Sequence, residues 1–425
     1  MSKLMPWGGT YKVTADIGFV AGFTLDDTDG YGSLDNPLAS LYASGVGVDI
    51  TEDVQEIRIE RGRSDQLQEF SASTCTIILG DYARKYDPVN TASPYFNTVT
   101  GTSGVTIRRI VKVFYDATQI FTGRITDIDV AFEPTSLPTD KATVTLECAD
   151  DFVVLANTRI EEFTPSSQLG GARITTLLAL PEVSYTGVTD LDAGTITLDA
   201  EPIDDQTVLL DYLQLIARTE QGYLFMTGDG KLRFSNRLGT IVTSSPFFFA
   251  DDNSGDADYE TLEVMYGQEA LFNRIVCTPV NSVTPGVADD ATSQSEYGVS
   301  ALHLDSLLCS DVDAQIMADY LIPLFKEPVY RFNAVSVSFA GNKVSTSVQQ
   351  SIIGLDLSSV IRVKKSFATG SPLSITQNLS VEGISHTITP ISHNIVFRTA
   401  VRQIASPLTL DDATLGALDF NNAVS

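Results

Sequence analysis

The 425-residue chain reads as mainly β with α+β insertions, a multi-barrel or multi-sheet protein. Three observations give that class. β-branched and aromatic residues recur at alternate positions over short runs, Gly, Pro, Asn and Asp punctuate those runs, and only three segments carry a 3.6-residue apolar period instead. At about 100–200 residues per domain, the length corresponds to two to four domains.

Strands are expected at Val54–Glu60, Ser73–Leu79, Val105–Tyr115, Thr143–Cys148, Phe332–Phe339 and Val360–Val363, where every second residue is apolar and suits a half-buried sheet. The first helix expected, Ala172–Leu180, stops at Pro181, which has no amide proton to continue the ladder. For the second, Asp204 or Asp205 supplies a cap, Leu209, Tyr212, Leu213, Ile216 and Ala217 form the apolar stripe, and Gly222 gives the stop. Tyr223–Thr227, the turn Gly228-Asp229-Gly230 and Lys231–Ser235 then read as a hairpin. The third helix starts near Ser310 or Asp311, places Val312, Ile316, Tyr320, Leu321 and Leu324 on one face, and should kink or end at Pro323. Residues 36–50 read as a linker, and 133–140, 164–171 and 251–258 as loops.

Charge narrows the function classes. With 27 Lys+Arg against 54 Asp+Glu the net charge is −27, so the chain repels phosphate backbones, whose binding needs cations that displace condensed counterions. Residues 250–320 hold fourteen acidic residues and one basic residue, Arg274, the pattern of a solvated face. Cys75, Cys148, Cys277 and Cys309 are too scattered for a disulfide framework or a Cys-x-x-C site and read as buried free thiols. The N-terminus lacks a signal-type apolar stretch, and no run of about 18 apolar residues is present, so membrane insertion is not expected and the cytoplasm is the default place of assembly.

Chemistry has little material. The three histidines, His303, His386 and His393, match no zinc-ligand spacing, and the last two read as satisfied sheet or surface histidines across Pro390. Nucleophile-elbow, P-loop and dinucleotide motifs are absent. No catalytic residue, cofactor-binding residue or metal ligand is nominated. In the arm Asp26-Asp27-Thr28-Asp29-Gly30, an EF-hand register with Gly30 at the turn puts Leu25 and Asn36 at the end ligands, so local Asx turns are the simpler reading beside a cation site. The basic run Arg58-Ile59-Glu60-Arg61-Gly62-Arg63 stands out in an acidic chain. Arg58, Arg61 and Arg63 are expected to pair with carboxylates, within the chain or on a neighbouring copy, with a phosphate site as the sharper alternative. Thr24-Leu25-Asp26-Asp27 with Gly32-Ser33-Leu34-Asp35 echoes Thr409-Leu410-Asp411-Asp412 with Gly416-Ala417-Leu418-Asp419, two copies being too few for a solenoid and suggesting two similar arms.

One chain of motifs resembles a known family. Arg61-Gly62-Arg63-Ser64, then Glu69-Phe70 leading to Leu79, then Asp87-Pro88-Val89-Asn90-Thr91-Ala92-Ser93-Pro94-Tyr95, then Phe121-Thr122-Gly123-Arg124-Ile125, resembles the opening of minor tail proteins of long-tailed (siphovirus-like) bacteriophages. The likeness continues through Leu213–Arg237, Asn273–Val276, Ser295–Gly298, Ala314–Leu324, Val381–His386 and Leu408–Asp419. Gly80-Asp81 departs from the Asn-rich turn of that pattern.

The resemblance implies a non-enzymatic baseplate hub without cofactors, similar to the hubs of contractile-tail baseplates and type VI secretion spikes. Two β-barrel-like tube domains with mixed peripheral domains would form a homotrimer of pseudo-hexameric symmetry. The divisions implied are an N-terminal arm and linker at 1–47, a first barrel at 48–160, a mixed domain at 161–255, a second barrel at 256–400 with a helical insertion at about 286–330, and a docking tail at 401–425. Implied partners are the distal tail protein ring, the tape measure protein and the tail-tip or receptor-binding proteins, with DNA only in transit and the virion tail as location. Arg58, Arg61 and Arg63 are then candidate inter-subunit residues, and Leu408, Leu410, Leu415 and Leu418 candidate docking residues. Alternatives are a distal tail protein forming a hexameric ring, or a tail-associated cell-wall hydrolase or carbohydrate-binding protein. An acidic channel wall would keep exiting DNA from sticking.

Overall fold

In the computed structural model the described residues are 3–4, 9–19, 21–22, 39–40, 45–64, 68–98, 100–133, 141–236, 246–268, 270–280, 282–340, 344–401, 406–407 and 422–423. The Asp26–Gly30 arm, Trp7, the body of the 133–140 loop and the two echoed segments lie outside them, as do Leu408, Leu410, Leu415 and Leu418.

One 14-stranded sheet dominates. Its strands are β1 (Lys3–Leu4), β2 (Thr10–Phe19), β3 (Gly45–Asp49), β4 (Val54–Gly62), β5 (Ser71–Asp81), β6 (Ile110–Tyr115), β7 (Thr118–Phe132), β8 (Ala142–Ala149), β11 (Phe247–Ala250), β12 (Thr261–Met265), β16 (Arg331–Ser338), β17 (Val360–Ser366), β18 (Ser374–Ile388) and β19 (His393–Val401). The hairpin β9 (Tyr223–Met226) and β10 (Leu232–Ser235) and the small sheet of β13 (Arg274–Pro279), β14 (Gly286–Asp289) and β15 (Ala301–Leu307) stand apart from it. The helices are α1 (Phe152–Asn157), α2 (Gly170–Leu178), α3 (Leu209–Glu220), α4 (Ala291–Tyr297), α5 (Asp311–Phe325) and α6 (Thr346–Ile353). None of the helices among the described residues is long and apolar enough to cross a membrane.

The two barrels expected from the resemblance are not formed. Hydrogen bonding runs β1-β2-β6-β7-β8-β5-β4-β18-β19-β16-β12, and the terminal strands β1 and β12 do not meet, so the sheet stays open. Period-two alternation fixes which face of a strand is buried but says nothing about closure, because a barrel and an open sheet bury the same alternate residues. What replaces two separate barrels is a seam: β4, from the first half of the chain, pairs antiparallel with β18, from the second, from Ile57 opposite Ile388 to Gly62 opposite Gly383. Glycine is required there. Gly62 has φ +97°, and a Cβ on it would lie 2.2 Å from the Glu382 carbonyl, while one on Gly383 would lie 2.8 Å from that of Arg63.

The inward residues of the sheet, among them Val13, Ile59, Ile77, Val111, Val144, Val335, Ile384 and Phe397, belong to one continuous core. Val105, expected inside a strand, is buried but precedes β6, which begins at Ile110. All four cysteines are free and buried, and Cys75 and Cys148 sit opposite each other on β5 and β8.

The helices correct the sequence reading in detail. α3 starts four residues after Asp205, with Val208 at the cap, and the Asp204 carbonyl instead accepts the Thr207 amide and hydroxyl. Its left-handed terminal residue is Gln221, with φ 53°, rather than Gly222. A Cβ on Gly222 would lie 2.2 Å from the Ser235 carbonyl, so that glycine serves strand approach. α5 continues through Pro323 to Phe325. Its buried stripe is Ala314, Met317, Ala318, Leu321 and Phe325, whereas Val312 and Ile316 face outward, 68% and 44% exposed. The helix turns its denser small-residue face to the sheet, leaving the β-branched pair outside. Ser310 caps it by accepting the Asp313 amide at 3.2 Å. Ser310→Ala should cost about 1 kcal/mol of stability; in urea titrations, an unchanged midpoint would show that the cap contributes nothing.

Candidate functional site

The most elaborate polar constellation lies on the seam, where the basic run of β4 meets Val381–His386 of β18. Arg58 points to solvent and pairs with Glu56 at 2.7 Å. Arg61 is buried: its guanidinium pairs with Asp356 at 2.7 Å and donates to the Met226 carbonyl at 2.9 Å. Asp356 also accepts the Gly228 amide at 3.3 Å, so the end of β9 and the turn that follows it are fastened to the seam.

Arg63 reaches Glu382 through Nε and a terminal nitrogen, both at 2.7 Å, and donates to the Gln68 carbonyl at 2.7 Å. Its guanidinium lies 4.5 Å from the Phe70 ring centroid and 5.1 Å from that of Tyr223. Glu382, 2% exposed, further accepts the Tyr223 hydroxyl at 3.1 Å and the Ser380 hydroxyl. Arg61 and Arg63 are thus engaged by carboxylates of their own chain, one of the two partner types open from sequence. Farther out, Glu60 joins Arg398 at 3.0 Å across β4 and β18 to β19.

Below the seam, His386 of β18 and His393 of β19 are buried with Nδ1 of the first 3.0 Å from Nε2 of the second. Burial, and then the charge of Arg61, lower the His386 pKa to about 3; burial, and then His386, hold His393 well below its ordinary value. Tyr11, Tyr115 and Phe339 pack their rings around His393. Asp150, beside the same arginine, is pushed up to about 6 by burial, against the Ser73 and Phe152 amides it accepts and the attraction of Arg61. His303 lies apart, exposed on β15.

This arrangement joins chain segments and presents no reacting constellation. Charges face charges, Arg61 and Arg63 are each held by a carboxylate and a carbonyl, and His386 and His393 are neutral and enclosed. Among the described residues no group of three or more His, Cys, Asp or Glu side chains is placed to hold a metal ion. Glu382 and Asp356 were not singled out by sequence reasoning. The available signal for Glu382 was a lone acid in an apolar strand segment, Leu379–Ile384. Asp356 carried none, since its role depends on a turn arriving from far along the chain.

No family model matches the chain, and no curated protein matches it. Solved structures do. The tail protein from Neisseria meningitidis MC58 superimposes with a TM-score of 0.56 at 11% identity, over 93% of this chain and 97% of that one. The 43 kDa tail protein of prophage MuSo2 from Shewanella oneidensis gives 0.54 at 10% identity, over 84% and 94%. At such identities the likeness is one of fold. An open, seam-joined sheet with mixed modules outside it, superimposing over most of each chain, gives this protein the fold of those two tail proteins.

Proposed function

We propose that the chain is a structural, non-enzymatic component of a bacteriophage tail tip, a hub that closes the end of the tail tube and opens for DNA passage. The observation that carries this reading is the fold likeness to two tail proteins over most of each chain, on a chain whose motif run independently resembles minor tail proteins. In this reading three copies surround the tail axis and contact a distal tail protein ring, the tape measure protein and receptor-binding parts. The sequence divisions at 47, 160, 255 and 400 separate its working parts. The seam suits such a role: it fastens the two halves of the sheet through ion pairs and the β9–β10 hairpin through hydrogen bonds to the same groups, so load on one half is carried to the other. The acidic composition serves to keep DNA from adhering in transit.

Cryo-electron microscopy of assembled particles tests the proposal. Three copies at the tip, between tube and receptor-binding parts, are expected. Six copies in a ring would make the chain a distal tail protein, and cell-wall lysis on zymograms, lost on mutating one or two carboxylates, would make it a hydrolase.

A further inference from the structure

Two surfaces of this chain are left with complementary character. The first is the outward face of α5. Val312 and Ile316 lie one turn apart in solvent, and the exposed carboxylates Asp311 and Asp319 flank them. The sequence carries this stripe as an apolar period, yet the helix buries its other side on β13 and β14. Isolated exposed apolar residues need no explanation, but a helical stripe rimmed by one sign of charge is the anatomy of a contact surface.

The second is the outward face of β2 and β6. Register places Lys112 beside Thr14 and Phe114 beside Lys12, with Ile110 on the same side of β6 and Ile107 exposed just before it. The inward neighbours Val111, Val113 and Tyr115 are buried in the core, so these side chains point away from it. On the neighbouring strand β7, the hairpin turn at Gly228–Gly230 comes down on Gln119 and Thr122, whereas on β2 and β6 Lys12 is exposed and Thr14, Ile110, Lys112 and Phe114 are half-buried among the described residues. Arg108 is exposed just before β6, and Asp16 is the carboxylate on β2, attracted by Lys112. A basic, partly apolar patch of this kind is unusual in a chain of net charge −27.

We propose that these surfaces bind each other between copies: the outer face of α5 on one chain docks on the β2–β6 face of the next. Apolar residues meet apolar residues, Asp311 and Asp319 meet the Lys12 and Lys112 side, and the excess of acid over base elsewhere disfavours other registers of approach. The two surfaces differ, so the contact is heterologous and generates a ring where its rotation closes and an open chain where it does not. The inference stands on charge and exposure and does not require the tail-hub reading. Closure at three copies is the stoichiometry the hub reading needs.

The test uses the full chain in sedimentation equilibrium and photocrosslinking. Wild-type self-association is expected to weaken with rising salt, and Ile316→Asp and Lys112→Glu should each raise its dissociation constant about tenfold or more. The decisive arm is mixing. Lys112→Glu and Asp319→Lys chains should each self-associate at least tenfold more weakly than wild type yet bind each other, because the unaltered helix of the first meets the unaltered strand face of the second and the two altered surfaces are opposite in charge. A photoreactive amino acid at position 316 should cross-link to peptides containing β2 or β6 of another copy. A wild-type chain that stays monomeric at tens of micromolar, a mixture no stronger than its parts while both variants unfold like wild type, or cross-links mapping elsewhere overturns the proposal. Association by this contact into a species other than a trimer would retain it and count against the three-copy hub.

Discussion

Arg63→Met is expected to lower the free energy of unfolding by about 3–5 kcal/mol, because it strands a buried carboxylate. Glu382 is 2% exposed, and the arginine makes two 2.7 Å contacts to one of its oxygens. Methionine keeps much of the stem volume against Phe70 and Tyr223, so the loss reports mainly on charge. The cation over those two rings contributes roughly 1 kcal/mol of it. The Tyr223 and Ser380 hydroxyls remain on Glu382, but two neutral donors do not compensate a full buried charge. Urea titration should show a lower midpoint with an unchanged slope. The double variant Arg63→Met/Glu382→Leu should recover much of the loss, since removing both charges also removes the desolvation penalty. A single-variant loss below about 1 kcal/mol would falsify the view that the pair anchors the seam, as that is the worth of an exposed pair.

This pair shows what was legible in the sequence and what was not. Arg61 and Arg63 stood out by composition, and their pairing with carboxylates followed from chemistry alone. Which carboxylates could not follow, because Glu382 and Asp356 lie about 300 residues away along the chain and reach the arginines only when β4 pairs with β18. The mainly β class, the hairpin and three helices were visible in local periodicity. The failure over barrels has the same origin as that over partners: closure and long-range register are properties of the sheet, and each strand's alternation is blind to them. α5 makes the point at smaller scale. Its sequence holds two apolar stripes, Val312–Ile316–Tyr320 and Ala314–Met317–Leu321, and only the packing on β13 and β14 decides which one is buried. The His386–His393 pair was read as satisfied sheet histidines; the two rings do contact each other, and His393 Nδ1 is left buried without a partner.

That buried pair makes the chain sensitive to mild acid. Both histidines are neutral in the folded protein, His386 down to about pH 3, whereas in the unfolded chain they take up protons as pH falls through about 6.5. The unfolded state therefore binds more protons below that value, and the stability these residues contribute is fully present above it and lost as pH drops. At pH 5 the loss is about 2 kcal/mol through His386, and His393 adds a loss of the same sign. Asp150 works in the opposite direction. Its folded pKa of about 6 lies above the ordinary carboxylate value, so its contribution is present at low pH and lost as pH rises through 6. Moving from pH 7 to pH 5 therefore returns about 1 kcal/mol through Asp150, less than the histidines lose, so the net change is a loss. Urea midpoints measured at pH 7 and pH 5 should show it directly. Replacing both rings, His386→Leu with His393→Leu, leaves no unpaired imidazole nitrogen and should abolish the acid loss, so that this variant becomes slightly more stable at pH 5 through Asp150. The single variant His393→Leu should keep part of the dependence, carried by His386. Equal wild-type midpoints at the two pH values, or a double variant that retains the acid loss, would mean that the rings gain protons inside the folded chain and that the enclosure by Tyr11, Tyr115 and Phe339 is opened by them.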